Sequence, residues 1–203
     1  MTNPMNDPRI KIRLGGSGGQ GVVLASIILA EAAGIYDRRE VCQTQSYGPE
    51  ARGGHCKAEL VISNRMIDYP QADNLDILVA LNQSSLDEFI HDLKEEGILI
   101  VNSDHVNDVF KSNAFGIPFS TLAREKVGVP QTMNIVALGA LSSLTSVVSR
   151  AALQEAVLAR APKGTSKANL EALEIGYAEG DLAKERMKNR MPKKFSELLL
   201  AQD

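Results

Sequence analysis

The first part of the chain alternates between two hydrophobic periods. Ile10, Ile12 and Leu14 alternate with Lys11 and Arg13, which predicts a strand over residues 9–14. A glycine-rich stretch follows. Residues 21–36 then read as a helix that Gly34 is placed to end. Its apolar positions, Val22, Leu24, Ile27, Ile28 and Leu29, run nearly all round, the pattern of a helix buried on a sheet. Residues 40–45 form a second strand candidate. Residues 56–63 form a third, with Ala58, Leu60 and Ile62 set against Lys57, Glu59, Val61 and Ser63. The runs at 75–81 (LDILVAL) and 97–102 (GILIVN) are continuous and apolar, as expected of strands buried on both faces. Between them, residues 82–93 read as a helix with Leu86, Phe89, Ile90 and Leu93 on one face and Ser84 or Ser85 as its cap. Residues 115–119 make a short last strand, which Pro118 confines to an edge or a strand end.

The second half changes character. Residues 134–144 are apolar and rich in small side chains, a packed helix. Residues 149–161 are helical, Pro162-Lys163-Gly164 breaks the chain, and residues 166–179 form a further helix with Leu170, Leu173 and Tyr177 on one side. The predicted fold is α/β: three layers, a mainly parallel sheet, a Rossmann-like first half and added C-terminal helices. Residues 1–8 are expected to be a flexible N-terminus, 9–180 the domain, and 181–203 an amphipathic tail carrying Met187, Met191, Phe195, Leu198 and Leu199.

Charge and composition narrow the function. The net charge of -3 and pI near 5.7 give no basic excess for phosphate neutralisation, so nucleic acid is not an expected partner. No apolar run is long enough for a bilayer and residues 1–8 lack a signal-peptide layout, so a cytoplasmic protein without a membrane role is expected. Cys42 and Cys56 are the only cysteines, too few for an iron–sulfur cluster, and both fall in apolar or alternating runs that favour buried thiols. The three histidines form no metal-ligand pattern, and no nucleophile–base–acid frame is present.

Two stretches carry the candidate chemistry. Gly16-Ser17-Gly18-Gly19-Gln20-Gly21 fits G-x-G-x-x-G between a strand and a helix, where backbone N–H groups and the helix dipole can receive a phosphate or carboxylate. An NAD site also needs an acid at the end of the second strand. Here that end reads Gln43-Thr44-Gln45, and the nearest acid, Glu40, stands at the strand's start. No Gly-Lys-Ser/Thr follows, so the phosphate loop of nucleoside triphosphatases does not fit either. The second stretch, Ser46-Tyr47-Gly48-Pro49-Glu50-Ala51-Arg52-Gly53-Gly54, has turn composition but adds an aromatic, an acid and an arginine. Arg52 can fork onto a phosphate or carboxylate, or pair with Glu50; Tyr47 offers a stacking face; Gly53-Gly54 allow a sharp turn. In a doubly wound sheet both stretches leave the same carboxyl edge. His55 beside the second stretch reads as structural.

These motifs resemble the gamma domain of the pyruvate/2-oxoacid:ferredoxin (flavodoxin) oxidoreductases. The resemblance runs from about residue 9 to 180 and includes Asn134-Ile135-Val136-Ala137-Leu138-Gly139-Ala140-Leu141 and the Lys167-Ala168-Asn169-Leu170 stretch. The wording of the second stretch is most similar to gamma subunits of the 2-oxoglutarate enzymes. Branched-chain and indolepyruvate oxidoreductases are the related alternatives, and a stand-alone nucleotide-binding module is the alternative of another class. The resemblance implies a subunit of an enzyme that turns a 2-oxoacid, CoA and oxidised ferredoxin into acyl-CoA, carbon dioxide and reduced ferredoxin. It implies alpha-, beta- and delta-type partners that hold thiamine diphosphate, Mg2+ and 4Fe–4S clusters, with no cofactor on this chain alone and ferredoxin reached through the complex. Residues 17–20 and 47–52 would then face CoA phosphates or the alpha subunit. The isolated chain is expected to self-associate, as a homodimer, through surface meant for partners.

Overall fold

The computed structural model describes residues 9–47, 55–111 and 114–187. Six strands, β1 Ile10–Ser17, β2 Glu40–Tyr47, β3 His55–Ser63, β4 Leu75–Ala80, β5 Leu93–Asn102 and β6 Ala114–Ile117, form one sheet in the order β2-β3-β1-β4-β5-β6. The helices are α1 Val22–Glu31, α2 Gln83–Phe89, α3 Phe119–Leu122, α4 Met133–Thr145, α5 Arg150–Arg160 and α6 Ser166–Met187. No helix of the described residues is long and apolar enough to cross a membrane.

Strand side chains alternate between two separate cores, which makes the fold three-layered. Ile12, Leu14, Leu60, Ile62, Ile77, Val79, Ile98 and Ile100 join one core with residues of α1, α4, α5 and α6. Val61, Leu78, Ala80, Leu99 and Val101 join the other with Leu86 and Phe89 of α2 and with Ala72 and Val106 from flanking segments. Each fully buried Leu or Ile contributes roughly 1.5–3 kcal/mol relative to exposure. The continuous apolar runs of β4 and β5 are explained, since both of their faces are covered.

The sheet is mainly parallel, as expected, with one antiparallel strand. β1, β4, β5 and β6 pair in parallel, but β3 lies antiparallel between β1 and β2. The Lys57-Ala58-Glu59-Leu60 alternation has its cause here: β3 buries Cys56, Ala58, Leu60 and Ile62 in the larger helical core, while Lys57 and Glu59 point to the thinner layer, in which Val61 is buried. β6 is an edge strand that Pro118 follows, as its sequence suggests.

Several boundaries move. β1 runs on through Gly15, Gly16 and Ser17, which pair with Lys57, Cys56 and His55. Gly34 does not end α1, which continues as a π-helical turn over Ala32–Tyr36. Among the described residues the outer side of α1 is uncovered, Leu24 being 41% exposed. Asn82, not Ser84 or Ser85, caps α2, accepting from the Ser85 N–H. Leu93 starts β5 rather than closing the helix, and Phe119 starts α3 rather than ending β6. Helix α6 runs unbroken past residue 180 to Met187. The remainder of the expected tail lies outside the described residues.

Candidate functional site

The parallel strands β1 and β4 end at the same edge of the sheet, and β2 points the same way across the antiparallel β3. The register aligns Gly16 with Cys56 and Cys56 with Tyr47. With neighbouring strands about 4.8 Å apart, β1 and β2 therefore reach one edge about 10 Å from each other, where the two stretches begin. That β1 and β2 end at a common edge is as the sequence suggests, but the cause is the antiparallel β3 between them rather than a doubly wound sheet.

The glycines of the first stretch do different jobs. Gly15 and Gly16 lie in β1. A Cβ on Gly15 would press on Phe89 and Ser85 at 2.9–3.0 Å, and one on Gly16 would sit 2.7 Å from Gln20 Oε1. Gly19 and Gly21 hold left-handed conformations, with φ of 89° and 74°. Gly18 and Gly19 are exposed, with nothing among the described residues within 4 Å of an added Cβ. The open side of the loop is at these two residues.

A small network fixes the loop. The Gln20 N–H donates to the Ser17 carbonyl at 3.2 Å and closes the turn. Gln20 Oε1 accepts the Ser17 N–H at 2.7 Å, and Gln20 Nε2 donates to the Leu81 carbonyl at 3.3 Å. Asn82 Nδ2 donates to Ser17 Oγ at 2.7 Å and to Gln20 Oε1 at 3.2 Å. Gly21 caps α1, with no side chain bonded to the cap and no acidic residue in the first turn. The first-turn N–H groups of a helix have no intrahelical partner, so the positive end of α1 is directed at this edge. Asn134 of α4 ties the far side of the loop, donating to the Gly21 carbonyl at 3.2 Å.

On the second stretch, Ser46 is exposed and pairs across to Lys57, while Tyr47 ends β2. Glu50, Arg52, Gly53 and Gly54 lie outside the described residues. Cys56, between the two stretches, is buried, and burial pushes its thiol pKa up; it is a neutral packing group. Cys42 is half-buried. Among the described residues, no three His, Cys, Asp or Glu side chains gather in a metal-holding group.

Asn82 and Asn134 are the site residues that pattern reading does not assign. Asn82 had a signal, its place just beyond the carboxyl end of a buried strand. Asn134 reaches Gly21 across 113 positions, a contact that no local pattern encodes. Asn134 also lines an apolar cavity of about 300 Å³ beside α1, with Leu24, Ile28, Ile135 and Val157. Arg160 on the cavity wall is held by the Glu31 carboxylate.

The family model described as pyruvate ferredoxin/flavodoxin oxidoreductase matches residues 11–179. The 2-oxoglutarate synthase subunit KorC of Methanocaldococcus jannaschii is 46% identical over 192 residues, covering 89% of this chain and 100% of that protein. The pyruvate/ketoisovalerate oxidoreductases common subunit gamma of Pyrococcus furiosus is 35% identical, over 73% of this chain and 84% of that one. The crystal structure of a keto/oxoacid ferredoxin oxidoreductase gamma subunit from Geobacter sulfurreducens superposes with a TM-score of 0.80 at 41% identity, over 87% of this chain and 99% of its own. On sequence and fold together, the chain belongs to the pyruvate ferredoxin/flavodoxin oxidoreductase family.

Proposed function

We propose that the chain is the gamma subunit of a 2-oxoglutarate:ferredoxin oxidoreductase, which converts 2-oxoglutarate, CoA and oxidised ferredoxin into succinyl-CoA, carbon dioxide and reduced ferredoxin. The observation that carries this reading is the 46% identity to a 2-oxoglutarate synthase subunit along that protein's whole length. Likeness to the ketoisovalerate oxidoreductase subunit VorA of Methanothermobacter marburgensis is lower, 36%, and spans only 30% of that protein.

In this reading thiamine diphosphate with Mg2+ and the 4Fe–4S clusters are held by alpha-, beta- and delta-type partners, and ferredoxin is reached through them. Thiamine diphosphate supplies the electron sink for decarboxylation. Cys42 and Cys56 are fewer than the four thiolates that a cluster takes, which supports that division.

This chain's part is to help close the CoA site. The loop from Gly16 to Gly21 presents the backbone N–H groups of its open side, at Gly18 and Gly19, and the positive end of α1 to an anionic group. Ser46, Tyr47, Glu50, Arg52, Gly53 and Gly54 belong to the neighbouring stretch. Arg52 is assigned a phosphate oxygen, which a guanidinium can grip with two parallel hydrogen bonds. Steady-state kinetics of the complex carrying Arg52→Ala test this. The apparent KM for CoA is expected to rise about tenfold, the loss of one charge-assisted contact. Unchanged CoA affinity and turnover would remove Arg52 from the site.

A further inference from the structure

We propose that Asn82 is the positioning residue of the glycine loop and sets that loop's affinity for the anionic end of CoA. The inference rests on the reading that the loop faces CoA. Asn82 follows β4 at the edge where β1 ends, and its side chain faces two ways. Oδ1 accepts the Ser85 N–H at 2.9 Å and the Ser84 hydroxyl at 3.1 Å, both in α2. Nδ2 donates to Ser17 Oγ at 2.7 Å and Gln20 Oε1 at 3.2 Å, both in the loop. Both amide hydrogens are thus directed at the loop.

A helix cap needs only an oxygen, and Asp or Ser serves as well as Asn. The donor end of Asn82 is therefore surplus to capping, and it has two consequences at the loop. Ser17 Oγ accepts from Asn82, so its own O–H remains a donor; among the described residues no acceptor for it is present. That donor stands beside the open side of the loop at Gly18 and Gly19. Gln20 Oε1, a partial negative charge, is held inward by Asn82 and by the Ser17 N–H, away from an arriving anion. Asn82 acts through Ser17 and Gln20 and is not required to touch CoA.

Asn82→Asp in the assembled complex separates capping from positioning. Asp keeps the oxygen for Ser85 but sets its second oxygen against Gln20 Oε1, so the thermal midpoint is expected to fall less than in Asn82→Ala. It removes both donors and turns the Ser17 hydroxyl toward the new carboxylate. KM for CoA is expected to rise about tenfold or more, with kcat falling far less, and CoA binding by calorimetry to weaken in step. Asn82→Ala loses both ends and is expected to lower the thermal midpoint as well. In a double-mutant cycle with Ser17→Ala, the effects on CoA affinity should be non-additive, since the two residues act as one unit. Wild-type CoA affinity in Asn82→Asp, or additivity in the cycle, overturns the inference. Gly18→Asp, which places a charge on the open side of the loop, distinguishes the two levels. If Gly18→Asp weakens CoA binding and Asn82→Asp does not, only the role of Asn82 fails. If neither does, the loop's role toward CoA fails with it.

Discussion

Gly21 joins the loop to the helical layer. Its φ of 74° lies where L side chains are strained, and a Cβ there would come within 2.5 Å of Asn134 Nδ2. Gly21→Ala is expected to cost about 2 kcal/mol or more, read as a lower urea midpoint. Gly18→Ala, at a position with open space, should change stability by less than about 0.5 kcal/mol. The glycine cluster is plain in the sequence, but the roles of its members are not. Gly15 and Gly16 answer to Phe89, Val22 and Leu81, while Gly19 and Gly21 answer to backbone conformation. Those partners become visible only when β4 and α2 are brought beside β1. The expectation of two buried thiols holds for Cys56, which lies among apolar neighbours, and not for Cys42, which is half-buried because β2 is the edge strand of the sheet. The raised thiol pKa of Cys56 means that the folded chain resists forming the thiolate. The contribution is therefore complete below the unfolded thiol's pKa and is lost as pH rises through and above it. Iodoacetamide is expected to modify half-buried Cys42 well before Cys56; equal rates would show Cys56 to be accessible.

At the scale of elements, small residues govern the crossing of α4 and α6. A Cβ on Gly176 would overlap the Val136 carbonyl oxygen, and one on Gly139 would lie 2.5 Å from the Leu173 carbonyl oxygen. Backbone cannot yield as a side chain does, so the helices must part. Gly176→Ala is expected to destabilise by about 3 kcal/mol, measured by chemical denaturation. The sheet's thinner face has its own tie. Arg13, nearly buried on β1, binds Glu59 of β3 at 2.6 Å and Asp92 before β5, with its guanidinium 5.0 Å from the Phe89 ring centre. Arg13→Ala leaves the Glu59 carboxylate without its main partner and is expected to cost about 3 kcal/mol in the same measurement. Element existence is largely legible in the sequence because each run matches one period. Strand order is not, since a parallel β1–β2 neighbourhood and a β2–β3 hairpin share the same alternation at β1. The polar positions of β3 carried a hint of the hairpin, because a strand with one lightly covered face is commonly antiparallel.

At the scale of the whole molecule, one feature set points outward. The loop edge offers hydrogen-bond donors and a helix dipole, and Leu24 on α1 is left exposed at the head of the same helix. An α1 that is apolar nearly all round but covered on one side fits a chain that completes its burial in a larger assembly. The family membership places the chain in such an assembly, a multi-subunit oxidoreductase. Substrate choice is not legible at this edge, because no described side chain here is matched to a 2-oxoacid; it enters through the likeness to 2-oxoglutarate synthase subunits. The most direct measurement is affinity purification of this chain from native extract, followed by assay of the eluate for ferredoxin reduction dependent on CoA and 2-oxoglutarate. The account predicts a complex with partner subunits that carries thiamine diphosphate and iron–sulfur absorbance and oxidises 2-oxoglutarate. A chain recovered alone with bound NAD(P), or a complex inert toward 2-oxoglutarate but active on another 2-oxoacid, would contradict it.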